Sequence, residues 1–217
     1  MAVVKDEYLL SFLACLPLID SYIPAIFYLD QLCLGGLWTR SGYQRVLESD
    51  KSDLFVLASA KTLTALQQRM HAGQNISSQA LQPSSAAAVE LLGVGCLWAI
   101  LEEAHITTLA VEPAHQRQKL GQLLLRQLLL SGHYRGLSRA SLEVRASNQK
   151  ALALYQKFDF KEAGQRPRYY ADGENARILW HSGLQTPNCV NQLRIFQQSA
   201  ITHIEKTGNY QYFAEIT

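Results

Sequence analysis

Cysteine is scarce. The four residues, at positions 15, 33, 96 and 189 of 217, lie far apart and none forms a C-x-x-C pair. They read as reduced core thiols of a cytoplasmic protein. A long apolar run is also missing. Tyr8–Leu18 is apolar, but it is about half the length that spans a bilayer. Lys5, Asp6 and Glu7 before it are not the basic flank of a signal peptide, so a buried strand or helix start is expected and no membrane. Charge of one sign is lacking too: charged residues make up 18% and the formal net charge is +2. Bulk charge therefore argues for no particular partner, and no direct nucleic-acid binding is expected. His105, His115 and His133 show no metal-ligand spacing and read as loop or surface residues, so no metal site is expected.

What is present is a globular composition, 48% hydrophobic, enough for a sizeable core. The small net charge hides an asymmetry. Glu112 to Arg168 carries eleven Lys/Arg against four Asp/Glu, hence +7, and the remainder carries nine against fourteen, hence −5. A basic half suits an anionic ligand, or a solvated basic surface.

The pattern along the chain alternates. Residues 20–33 read as a helix, with Asp20 or Ser21 as cap and Pro24 in the first turn. A short helix follows at 41–49, then a strand at 53–58. Residues 59–88 are small and polar and read as a flexible insertion in a hairpin. Strands at 91–101 and 105–113 come next. Leu120, Leu123, Leu124 and Leu128 share one helical face, and Gly132 and Gly136 break that helix. A strand at 140–146 runs into a helix capped by Ser147 or Asn148, with Ala151, Leu154, Tyr155 and Phe158 on one face. A strand pair surrounds 171–175. The expected class is α/β (α+β), a mixed central sheet with helices on both faces. The boundaries are a domain over 1–181 and a C-terminal extension, 182–217, whose role is not legible.

Three places carry possible chemistry. Gln116-Arg117-Gln118-Lys119-Leu120-Gly121-Gln122 joins a strand to a helix, where unpaired N–H groups and the helix dipole favour an anion. The same pattern also fits an amphipathic helix with a polar start. Glu143, between Leu142 and Val144, points away from both. It is either available to a cleft or a surface carboxylate paired with an arginine. Tyr155 lies on an apolar helix face, as a core tyrosine would.

The strings LAVEPAHQRQKLGQLLLRQLL and LEVRASNQKALALYQKFDF resemble the acetyl-coenzyme A-dependent N-acetyltransferase (GNAT) superfamily. The second string and RYY at 168–170 are similar to one branch, the ribosomal-protein-alanine N-acetyltransferases. The resemblance implies the GNAT fold, acetyl-CoA as co-substrate and a protein N-terminus as acceptor, with the terminal alanine of a small-subunit ribosomal protein as the leading partner. It implies backbone contacts from Leu109, Ala110 and Val111 to the pantetheine arm. It also implies a pyrophosphate cradle from Arg117, Gln118, Lys119, Leu120, Gly121 and Gln122, and a coenzyme contact from Asn148. Glu143 matches the proton acceptor and Tyr155 the proton donor. The departure is Lys119, where the family's Q-x-x-G-x-G has glycine. The helix is expected to have begun by then, with negative φ at Lys119. Two rival functions remain: acetyl transfer to lysine side chains or small amines in the same fold, and a binding module without catalysis.

Overall fold

The computed structural model describes residues 11–62, 64–67, 89–207 and 210–213. Its strands are β1 (Ser11–Pro17), β2 (Ser52–Ala60), β3 (Val89–Ile100), β4 (Glu103–Val111), β5 (Arg139–Arg145), β6 (Lys161–Arg166), β7 (Ala176–Ser182) and β8 (Tyr210–Tyr212). They form one mixed sheet in the order β6-β7-β5-β4-β3-β2-β1-β8. The helices are α1 (Ile23–Leu34), α2 (Arg40–Leu47), α3 (Leu120–Tyr134), α4 (Gln149–Lys157) and α5 (Cys189–Thr207). Helices α1 and α2 pack on β2, β3 and β4 over one apolar cluster that includes Ile26, Tyr43, Val56 and Val94. Helices α3, α4 and α5 cover the other face through Leu125, Leu128, Leu152, Phe158 and Leu193. Helices on both faces of a mixed sheet are the expected architecture.

Several local expectations are refined. A 3-10 turn over Asp20–Tyr22 precedes α1, whose N-cap position is Tyr22 with no capping side chain. Thr39 caps α2, its hydroxyl accepting from Gly42 N–H at 3.0 Å. Gly132 does not break α3 but lies inside it: a Cβ there would stand 3.1 Å from that of Ala104, so glycine lets the helix sit close on β4. Gly136, at φ +75°, follows the end of the helix. Ser59 and Ala60 belong to β2, and Ala65 and Leu66 are buried, so these residues pack rather than join a flexible insertion. Residues 68–88, the rest of that stretch, lie outside the described residues.

The extension is part of the same layers. Cys189, Leu193, Ala200 and Ile204 form the buried stripe of α5, at helical spacing. Helix α5 packs along α3, and β8 runs parallel to β1 at the sheet edge.

The site depends on a defect in the sheet. Opposite Cys96 and Leu97, β4 carries one extra residue, Thr107, since Cys96 pairs with Thr108 and Leu97 with Ile106. A bulge bends a strand and sharpens its twist. On its other side β4 pairs with parallel β5 over three positions, Glu103 with Arg139, Ala104 with Ala140 and His105 with Ser141. Beyond that point the two strands separate. The edge of β4 from Ile106 to Val111 is left unpaired towards β5, a V-shaped opening in the middle of the sheet.

Candidate active site

The open edge of β4 ends at Leu109, Ala110 and Val111, so these residues can offer backbone groups to an extended ligand, as a missing strand would. Gly93 of β3 holds this end in place. A Cβ there would lie 2.8 Å from the Ala110 carbonyl oxygen, so only glycine permits the approach. On the far side, Cys33 Sγ of α1 and Gln116 Nε2 both donate to the Val111 carbonyl, at 3.6 and 3.1 Å.

After β4 the chain makes a 3-10 turn, Pro113–His115, and enters the basic loop. The helix has not begun at Lys119. That residue is the N-cap of α3, at φ +63° and ψ +9°, in the left-handed region, and Arg117 is also left-handed at φ +67°. The expected negative φ is therefore corrected. The Leu120–Leu128 stripe belongs to the helix proper, while the residue before it turns the loop so that the first amides of α3 point outward. Lysine takes a conformation that glycine adopts at no steric cost. Its side chain makes no cap hydrogen bond. Gly121 faces Leu154 and Val111, and an added Cβ would meet them at 3.5 and 3.8 Å, ordinary contact distances. Packing within the chain does not demand glycine there, but a ligand lying against the backbone would.

A second cation, not singled out from sequence, lies beside the loop. Lys157 at the end of α4 donates to Gln122 Oε1 at 3.1 Å. Its ammonium is held below the usual lysine range by burial and then by the charge of Lys119. Asn148 caps α4, its Oδ1 accepting from Ala151 N–H at 3.1 Å, which leaves its amide nitrogen for a ligand.

Glu143 lies two residues past the last β4–β5 pair, at the apex of the opening. Leu142 and Val144 are in the core, and Glu143 points to the opposite face with its side chain 10% exposed. The pairing with an arginine is found. The carboxylate is paired, Oε1 with Arg166 at 3.2 Å and Oε2 with His105 Nε2 at 3.4 Å, next to the point where β4 and β5 part. His105 is thus neither a loop nor a free surface residue. It lies on β4 against Glu143, and no spacing in the sequence announces that contact. Tyr155 is buried, its ring tilted against that of Phe160 with centroids 5.7 Å apart, and burial, followed by the nearby Tyr170 phenol, raises its pKa, so it keeps its proton at neutral pH. The Tyr170 phenol is raised by burial first, with Arg145 lowering it and Tyr169, Glu143 and Glu174 raising it further.

The β6–β7 loop is tied to β5. Arg145 of β5 clamps Asp172 and Glu174, each at 2.7 Å, and lies 4.0 Å from the centre of the Tyr170 ring. Glu174 also accepts from Ser147 N–H at 2.8 Å, and that bond with the arginine pulls its carboxyl down to about 2.

A split mixed sheet, an amide and lysine cradle at the start of α3, and a carboxylate at the apex of the split define an acyltransferase-like architecture. Residues 44–160 match the Acetyltransferase (GNAT) family, more than half of the chain, and the protein belongs to that family. Among curated relatives, it is 44% identical over 82 residues to the ribosomal protein bS18-alanine N-acetyltransferase of Escherichia coli strain K12, covering 37% of this chain and 55% of that one. It is 45% identical over 82 residues to the Salmonella typhimurium protein of the same name, again covering 37% and 55%. The chain thus spans about half the length of these relatives. Its structure is similar to the crystal structure of the ribosomal-protein-S18-alanine N-acetyltransferase from Escherichia coli, with a TM-score of 0.59 at 27% identity, over 79% of this chain and 94% of that one. Among the described residues, no helix is long and apolar enough to cross a membrane.

Proposed function

We propose that this protein transfers an acetyl group from acetyl-CoA to the N-terminal amine of a protein, with the terminal alanine of a small-subunit ribosomal protein as acceptor and the cytoplasm as its setting. The observation that carries this reading is the position of Glu143 just beyond the last β4–β5 pair, where an amine arriving from one face would meet a ligand threaded through the split. The similarity to the bS18-alanine N-acetyltransferases supports the choice of acceptor. Four free cysteines suit a reducing compartment.

The residues have separable tasks. Leu109, Ala110 and Val111 would align the pantetheine arm along the open strand edge. The amides from Arg117 to Gln122, with the Lys119 and Lys157 ammonium groups, would hold the pyrophosphate, and Asn148 would add a contact from α4. The coenzyme supplies the activated acetyl group as a thioester. An alanine α-amine has a pKa near ~8 and is mostly protonated at neutral pH. Glu143 would take that proton and free the nitrogen lone pair for attack. Tyr155 would hold a proton for the leaving sulfur. Much of the acceleration would come from holding amine and thioester together in a site that the loop and α1 enclose.

The test is acetyl-CoA turnover with two sets of peptides, one with a free N-terminal alanine and one with a blocked N-terminus and an internal lysine. Turnover confined to the first set is expected. Turnover confined to the second would replace the N-terminal reading by side-chain acetylation, and coenzyme binding without turnover of either would favour a non-catalytic module.

A further inference from the structure

The residues matched to the family end at 160, and the chain after them includes α5 and β8. This later segment returns to the loop that leads into α3. Strand β8 runs parallel to β1, with Tyr210 opposite Ser11. Tyr210 is buried in an apolar cluster with Leu120, the first residue of α3, and with Ala200 and Ile204 of α5. Leu109 and Val111, at the open edge of β4, pack against the same cluster. One apolar core thus underlies the strand edge, the start of α3 and the C-terminal strand.

The polar end of Tyr210 reaches the turn before the loop. Its hydroxyl lies 2.6 Å from His115 Nδ1, and the two ring centres are 6.2 Å apart. His115 closes the 3-10 turn after β4, two residues ahead of Arg117. Its other ring nitrogen, Nε2, faces Glu112 at 3.4 Å and Glu90 of β3 at 4.0 Å. The ring is therefore held from both sides, and the tie to Tyr210 is the same whichever of the two atoms donates. Burial, and then the Glu90 and Glu112 carboxylates, push the Tyr210 phenol up to about 12, so it keeps its proton at neutral pH.

The loop beyond this turn needs outside support. Arg117 and Lys119 have φ of +67° and +63°, a region unfavourable to any residue with a Cβ. Such a backbone persists where its surroundings over-determine it. Gln116, bonded to the Val111 carbonyl at 3.1 Å, holds the loop from the sheet. Tyr210 holds it from the C-terminal side.

We propose that Tyr210 is a positioning residue for the coenzyme: through His115 it fixes the turn from which the amides of Arg117 to Gln122 are presented, so that a strand outside the matched acetyltransferase residues sets the affinity for the pyrophosphate. The inference rests on the coenzyme-binding part of the reading above. Without the tie the loop samples other conformations, and apparent affinity falls with the fraction that remains competent. Glu143 and Tyr155 stand on other elements, so the rate at saturating coenzyme is unaffected.

Acetyl-CoA binding by the wild-type full chain is measured first, by calorimetry. A wild type that binds none would fail the coenzyme reading and this inference with it. Tyr210→Phe keeps the buried ring and loses the hydroxyl. It is expected to raise Kd and KM for acetyl-CoA by roughly threefold to tenfold, with kcat and the KM for a free N-terminal alanine peptide unchanged. His115→Ala should weaken binding to a similar degree, and Tyr210→Phe added to it should weaken binding no further, because the phenol acts through the ring. Hydrogen exchange of the wild type needs no variant. Acetyl-CoA should slow exchange at Tyr210–Tyr212 as well as over 115–122, since coupling between two sites is reciprocal. Three results would each overturn the proposal: wild-type affinity in Tyr210→Phe with only a lower melting temperature, a full further loss when it is added to His115→Ala, or exchange in β8 that is indifferent to acetyl-CoA.

Discussion

In the proposed reaction Glu143 accepts the amine proton, and in the structure each of its oxygens has a partner, Arg166 or His105. Glu143→Gln removes the acceptor and keeps the shape. Turnover should fall by roughly 10²–10⁴ at neutral pH, with coenzyme binding intact, and the deficit should shrink at high pH where the amine is already neutral. Tyr155→Phe removes only a hydroxyl from a buried ring, so turnover should drop while the melting temperature holds; an unchanged rate would reduce Tyr155 to a packing role. Lys119 carries two opposing effects. Its left-handed backbone favours glycine by about 1 kcal/mol, and Lys119→Gly should raise stability in urea melts where Lys119→Ala does not. Its ammonium, set against Lys157, favours a bound phosphate. Both variants should bind acetyl-CoA more weakly by calorimetry, with a flatter salt dependence than wild type. Tighter binding by the glycine variant would show that the lysine Cβ obstructs the cradle.

At the scale of elements, the β6–β7 loop is held to the catalytic strand by charge rather than by apolar packing. Glu174 ties the loop to Ser147 and Arg145, and its carboxyl is pulled down to about 2 from an ordinary value of 4.5. A depressed carboxyl contributes to the folded state above its unfolded value and loses that contribution as pH falls through the folded one. The loop should therefore stay docked at neutral pH and loosen between about 4.5 and 2. Hydrogen exchange of residues 167–175 should rise over that window, and Glu174→Gln should show the raised exchange already at neutral pH, with a higher KM for the acceptor peptide. If exchange in this loop is indifferent to pH and to the substitution, the clamp does not order it. Helix α3 presents a different economy: its leucine stripe packs so closely on the sheet that Gly93 and Gly132 are required where the surfaces meet.

For the whole molecule, the C-terminal helix closes the layer that α3 and α4 begin. Cys189, Leu193, Ala200 and Ile204 are buried, and Tyr210 of β8 reaches back to His115 at 2.6 Å, on the turn that leads into the cradle. Ending the chain after Leu184 should expose the apolar face of α3 and give insoluble protein. Leu193→Ala is the milder test, and it should cost about 2–5 kcal/mol in denaturant unfolding. A soluble, fully stable truncation would show that α5 is an ornament on a self-sufficient core.

Much of this was legible in the order of residues. Apolar composition placed β2 and β3, which are buried along most of their length, alternation placed β5, caps and breakers placed α1, and helical spacing placed α3 and α4. The direction of Glu143 was legible too, since a carboxylate flanked by Leu142 and Val144 leaves the core; the cradle role of the loop came from the resemblance and not from its pattern. The C-terminal helix was missed, although its apolar residues at 189, 193, 200 and 204 carry a helical spacing, because a single narrow stripe among polar residues has no local signature strong enough to stand alone. Other features belong to tertiary structure only. The pairing of β4 with β5 stops after three residues, and the bulge at Thr107 redirects the strand; no periodicity within either strand encodes where two distant segments part. The contact of His105 with Glu143, of Lys157 with Gln122 and of Tyr210 with His115 spans residues 35 to 95 positions apart. The left-handed backbone at Lys119 was decided there as well, since a good helix former yields when the loop must turn its amides towards the opening that the sheet creates.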